Sequence, residues 1–121
     1  MSNPTIELKE RTKRFALRVI RVVKSLPKTD EARIIGKQVL RSGTSVAANY
    51  RAVCRARSKA EFISKIGVVV EEADETVFWL ELLVESEIVK KEQMTELLKE
   101  ANELLAIFAA SQQTAKRNSK Y

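Results

Sequence analysis

Apolar residues recur along this chain at intervals of three and four, the spacing that gathers side chains on one side of an α-helix. In the first stretch, Phe15, Val19, Val22 and Leu26 share a stripe, with Ala16, Ile20 and Val23 beside it. The pattern predicts a helix over 5–26 that stops ahead of Pro27, because proline disfavours helical backbone in the residue before it. Thr29 or Asp30 can cap a second helix over 30–55, and Glu31 suits the positive end of its dipole. There Ala32, Ile35, Val39, Val46, Tyr50 and Val53 fall on one stripe, flanked by the small residues Gly36, Gly43, Ala47 and Cys54. A glycine inside a helix costs about 1 kcal/mol against alanine, so Gly36 and Gly43 point to close approach of another helix. A capping box, Ser58-Lys59-Ala60-Glu61, opens a third helix over 58–86. Its core stripe is Phe62, Ile66, Val69, Ala73, Val77, Leu80 and Val84. Val68, Phe78, Trp79 and Leu82 lie off that stripe, so this helix is expected to be covered on more than one side. Ile88 and Val89 fall in the last connection. A fourth helix over 92–114 turns Leu97, Leu98, Ala101, Leu104, Leu105 and Phe108 inward, and the polar, basic residues 115–121 are expected to fray. Long helices with short connections predict one all-α domain, an up-down-up-down four-helix bundle.

Composition supports that picture and narrows the chemistry. Only three glycines and two prolines occur in 121 residues, too few breakers for a chain of many strands and turns. Apolar residues at 45% and charged residues at 31% fit a globular domain, large enough to bury a core without disulfides or metals. Histidine is absent and Cys54 is the single cysteine, which removes most nucleophile–base pairs and most transition-metal sites. No P-loop or other Gly-rich phosphate loop is present either. The chain is therefore expected to be no enzyme and to carry no cofactor and no metal. The acidic run Glu71, Glu72, Asp74 and Glu75 lacks the histidine that a bundle di-metal site needs, and reads as a charged surface. Cys54, in the small-residue stripe, reads as a packed small hydrophobe. The opening residues show no signal pattern, and no apolar run approaches the ~20 residues of a membrane span. A cytoplasmic location with no membrane partner is the expectation, and one unpaired cysteine suits it.

Charge changes the picture most. The net charge is +6, with a balance of +11 over residues 1–65 and −5 over 66–121. Arg33, Lys37, Arg41, Arg51 and Arg55 fall on one side of the second helix, opposite its apolar stripe. Arg11, Arg14, Arg18 and Arg21 make a second row on the first helix. Such rows suit a phosphate backbone, and the guanidinium fork can bond two oxygens at once. On this reading Arg14, Arg18, Arg21, Lys37, Arg41, Arg51 and Arg55 bind RNA or DNA. The competing readings are a solvated face, basic helices paired with acidic ones across a subunit contact, or a protein-interaction module whose basic face docks an acidic protein partner. Aromatics are only 6% and form no exposed row on which bases could stack, so binding should be phosphate-directed and poor in sequence specificity.

Three segments in order carry a family resemblance: Gln38-Val39-Leu40-Arg41, Ser45-Val46-Ala47-Ala48-Asn49, and Arg57-Ser58-Lys59-Ala60-Glu61-Phe62. Glu71-Glu72-Ala73-Asp74-Glu75-Thr76 and Trp79-Leu80-Glu81-Leu82-Leu83 follow. Together with the helix order they resemble the four-helix bundle family encoded in intervening sequences of bacterial 23S rRNA genes. The chain departs where Tyr50-Arg51-Ala52 follow Asn49, in place of a small residue, an acid and a glycine, and in lacking a tryptophan in its first helix. The resemblance implies a ring of identical subunits, a pentamer in known relatives. It also implies kinship with the accessory protein of diversity-generating retroelements, which works beside a reverse transcriptase and binds nucleic acid through a basic surface. The implied partners are thus further copies of the chain, RNA or DNA, and a reverse transcriptase or other protein. Val68, Phe78, Trp79 and Leu82 are the candidate subunit contact, since interfaces favour such residues at their centres; a wider bundle core is the alternative. Ser45 and Asn49 are either polar ligands facing a ring lumen or interhelical hydrogen bonds that fix register.

Overall fold

A computed structural model describes residues 3–118 as four helices: α1 (Pro4–Ser25), α2 (Asp30–Val53), α3 (Lys59–Glu85) and α4 (Lys91–Asn118). Each of the first three starts where a side chain takes a free backbone N–H. Asn3 Oδ1 accepts from Thr5 N–H at 2.8 Å, with Pro4 in the first turn. Thr29 Oγ1 accepts from Ala32 N–H at 3.3 Å, and Ser58 Oγ from Glu61 N–H at 3.0 Å. Leu26, ahead of Pro27, is extended at φ −67° and ψ 148°, and α1 stops there. After α3, Ile88 N–H reaches Leu83 C=O at 3.0 Å and Glu87 N–H reaches Val84 C=O at 2.9 Å, with Glu87 at φ 63°. This closes the last turn as a Schellman motif and folds Ile88 and Val89 onto the core.

Connections of four or five residues make sequence neighbours antiparallel neighbours in space. Accordingly α1 packs along α2, α2 along α3 and α3 along α4, whereas α1 and α4 meet over a short stretch only. Among the described residues there is no strand, and no helix is long and apolar enough to cross a membrane.

The expected stripes face this core. Phe15 and Val19 of α1, Val39, Val46, Tyr50 and Val53 of α2, Ile66, Val69, Val77 and Leu80 of α3, and Leu97, Leu104 and Phe108 of α4 form one buried cluster. Leu83 and Met94 are buried as well. So are three hydroxyl residues, Thr12, Ser42 and Thr76, each at 0% exposure. Thr12 bonds back to Leu8 C=O at 2.8 Å, and the Ser42 and Thr76 hydroxyls meet at 2.9 Å between α2 and α3. No buried polar side-chain atom among the described residues is left without a partner.

The glycines of α2 set its distance from α1. A Cβ on Gly43 would stand 2.9 Å from Val19 Cγ2, and one on Gly36 would stand 2.9 Å from Leu26 Cδ1. The helix ends differ modestly from expectation. α2 ends at Val53, short of 55. α4 continues to Asn118, so residues 115–118 are helical, with Lys116 and Arg117 favouring the negative end of the dipole. Residues 119–121 lie outside the described residues.

Candidate nucleic-acid interface

The acids of the second half of the chain engage particular arginines of the first. Arg11 donates from Nε and Nη2 to Glu100, both at 2.7 Å, and from Nη2 to Glu103 at 3.0 Å. These bonds, to Glu100 above all, raise the guanidinium pKa further, against the opposing effect of partial burial. Arg41 pairs with Glu72 at 3.2 Å and with Glu75, and donates to Gln38 at 3.3 Å. Glu75 also accepts from Trp79 Nε1 at 3.2 Å. The acidic run, read from the sequence as a charged surface, engages through Glu72 and Glu75 an arginine of its own chain. The cause is topological: Arg41 precedes Ser42, whose contact with Thr76 fixes α2 beside the acids of α3. Arg33 pairs with Asp30 at 2.6 Å, and Glu61 with Arg57 at 3.6 Å and Lys65 at 3.3 Å. Among the described residues no group of histidine, cysteine, aspartate or glutamate is arranged to hold a metal ion.

The rotation of α1 decides which cations share a surface with α2. Arg11 points to α4, and Arg18, two turns later, follows it. Arg14 lines a depression with Pro4, Leu8, Arg11 and Ile107, and is 3.9 Å from Glu10. Arg21 lies two turns beyond Arg14 and is exposed. The row expected on α1, Arg14, Arg18 and Arg21, thus lies on the outer and α4 side and does not join the α2 row.

The crevice between α1 and α2 carries different residues. At one end Lys9 and Lys13 face Arg51, with Glu10, Thr44, Ala47 and Ala48. At the other, Lys24 and Lys28 face Arg33 and Lys37, with Leu40 on the rim. Of the residues expected on α2, Lys37 and Arg51 line this crevice, Arg55 is exposed just past the helix end, and Arg41 is turned toward α3. Lys9, Lys13, Lys24, Lys28, Lys37, Arg51 and Arg55 have no carboxylate partner among the described residues. With 1.5 Å of rise per residue, Lys9 and Lys13 centre about 20 Å from Lys24 along α1, and Arg51 stands about 21 Å from Lys37 along α2. Between the two clusters the surface is apolar or small: Leu17 is 45% exposed, Leu40 37%, and Ala48 is exposed.

The lysines of α1 escaped the sequence reading because a helical wheel does not say which flank meets which neighbour. One signal was available. The small stripe Gly36, Gly43 and Ala47 marks the flank of α2 that receives α1, and Ala16 is its small counterpart on α1, one helix side from Lys9 and Lys13.

The family model for 23S rRNA-intervening sequence proteins matches residues 5–110, nearly all of the described chain. The chain belongs to this family. A solved structure agrees: a protein with unknown function from the S23 ribosomal protein family of Bacteroides thetaiotaomicron VPI-5482 is 33% identical, with a TM-score of 0.82 over 90% of this chain and 97% of that one. None of the curated proteins matches.

In this 23S rRNA-intervening sequence protein the candidate contact residues lie on the outward side of α3. Phe78 is 52% exposed and Val68 42%, while Trp79 and Leu82 are half-buried. Phe78 and Trp79 meet edge to face, with ring centroids 4.9 Å apart. Asn49 Nδ2 donates to Ser45 C=O at 2.9 Å, a bond within α2 and not between helices. Cys54 is half-buried against the core.

Proposed function

We propose that this chain is a non-enzymatic nucleic-acid-binding accessory or scaffold protein that holds RNA or DNA by its phosphates. The observation that carries the reading is the α1–α2 crevice, where Lys9, Lys13, Lys24 and Lys28 face Lys37 and Arg51, none of them with a carboxylate partner among the described residues. The acids of α3 and α4 are nearby in the fold yet engage Arg11 and Arg41 instead. Uncompensated charge on two facing helices raises the local potential and draws in phosphates. Arg18 and Arg21, on the other flank of α1, add to the long-range field. The reading includes no catalytic step, because the sequence holds no histidine and no nucleophile set beside a base. It places the protein in the cytoplasm, working beside a protein partner such as a reverse transcriptase.

The test is fluorescence anisotropy of labelled RNA and DNA at several salt concentrations. We expect micromolar or tighter binding whose logarithm falls linearly with the logarithm of salt, by about 0.9 per phosphate contacted on duplex. Reversing Lys13, Lys37 and Arg51 together should weaken binding, lower that slope by about 2–3 and leave the helical circular dichroism intact. An unchanged slope would remove the crevice from the reading.

A second reading, an oligomeric protein-interaction module, is favoured by the exposed Phe78 and Val68 on α3. The two are compatible: a homo-oligomeric ring, such as a pentamer, would use α3 for its contacts and repeat the basic crevice once per subunit.

A further inference from the structure

We propose that the α1–α2 crevice takes B-form duplex DNA lengthwise, with one backbone at each basic cluster and the major groove over the apolar centre. This rests on the phosphate-binding reading above and adds the form of the ligand. The spacings agree. A B-DNA turn of roughly 34 Å, shared between the grooves in the ratio of their widths of about 12 and 6 Å, sets the backbones flanking the major groove about 23 Å apart along the axis. Lys9 and Lys13 centre about 20 Å from Lys24 along α1, and Arg51 stands about 21 Å from Lys37 along α2, with Lys28 just beyond α1 at the second end.

The stretch between the clusters discriminates further. A single strand laid along the crevice would carry a phosphate every few ångströms across Leu17 and Leu40, where none of the crevice cations is placed. A duplex presents no phosphate there, only the open groove with base edges and thymine methyls, which apolar side chains can touch. A stacking platform is missing too. Phe15, Tyr50 and Phe108 are buried, and Phe62, Phe78 and Trp79 sit on α3, so no described aromatic lines the crevice. A-form RNA fits less well, because its major groove is deep and narrow and its backbones flank it at a different spacing. Glu10, the one acid lining the crevice, lies beside Arg14 and so repels an incoming phosphate less.

The experiment compares four labelled probes at one salt concentration: a DNA duplex of about 18 base pairs, its single strand, the RNA duplex of the same sequence, and a DNA hairpin with a stem of about five base pairs. At about 3.4 Å per pair the hairpin stem is shorter than the gap between clusters. We expect the long DNA duplex to bind roughly tenfold more tightly than each of the others, since only it engages both clusters. Lys9→Glu with Lys13→Glu should lower its affinity to that of the hairpin, and so should Lys24→Glu with Lys37→Glu. Equal or tighter binding of the single strand, the RNA duplex or the hairpin would overturn the duplex-spanning inference and leave the phosphate-binding reading standing. No binding of any probe at low salt would overturn both.

Discussion

Tyr50 carries its hydroxyl into the bundle near the end of α2, at 6% exposure, with its ring tilted against Phe108 at 5.2 Å between centroids. Burial first, and the neighbouring Cys54 second, push the phenol up from 10.0 to about 12. The unfolded chain gives up this proton near pH 10 while the folded chain keeps it, so above pH 10 the unfolded state binds fewer protons. The stability tied to the neutral phenol is whole below pH 10 and is lost as pH rises through about 12. The melting temperature should therefore fall more steeply between those values in the wild type than in Tyr50→Phe; parallel curves would show that the phenol is not the cause. Tyr50 was legible as a core residue because its spacing from Val46 and Val53 is helical. Thr12, Ser42 and Thr76 were not, because a hydroxyl in a sequence reads as polar. In a helix it can bond a carbonyl of the preceding turn, as Thr12 does with Leu8, and so be buried at little cost.

At the scale of helices, the two glycines of α2 predict opposite outcomes for one substitution. Alanine gains about 1 kcal/mol over glycine in a helix interior. At Gly36 the new methyl would crowd only the end of the Leu26 side chain, which is flexible and half-buried, and would touch Val23 Cγ1 at an ordinary 3.7 Å, so Gly36→Ala should raise the melting temperature. At Gly43 it would meet three atoms of Val19 within 3.3 Å, a stiff β-branched side chain at 0% exposure. Overpacking of that kind costs about 1–3 kcal/mol, so Gly43→Ala should melt lower. If thermal melts show both variants stabilised, Gly43 does not set the distance between α1 and α2. The small stripe that carries this prediction could be read from spacing alone. The pairing of charges could not: Lys37 and Arg41 share one row in the sequence, yet only Arg41 has Glu72 and Glu75 within reach. That difference comes from the neighbouring helix, which a periodicity does not name.

For the whole molecule, the number and order of helices followed from long apolar periodicities and few breakers, and the structure adds which edges of the bundle are firm. Assembly belongs to this scale. Phe78 stands outward on α3 with Val68 on the same side, and a carboxylate there would meet water in a monomer but an apolar surface in a contact between copies. If α3 carries the proposed contact between copies, Phe78→Asp should lower the mass measured by light scattering to that of a single 13.7 kDa chain without loss of helicity. An unchanged mass would move the contact away from α3.

The loose edge between α1 and α4 bears on durability. α2 and α3 each have a helix packed along both flanks, but α1 leans on α2 alone for most of its length, with Arg11 tying its first half to α4. An element held on one side opens at a free-energy cost below that of global unfolding. Yet α1 supplies Lys9, Lys13 and Lys24, one whole bank of the crevice. Warming or mild denaturant should then dismantle the proposed binding surface while α2, α3 and α4 still hold together, so the working lifetime of that surface would follow a local opening and not the melting of the core.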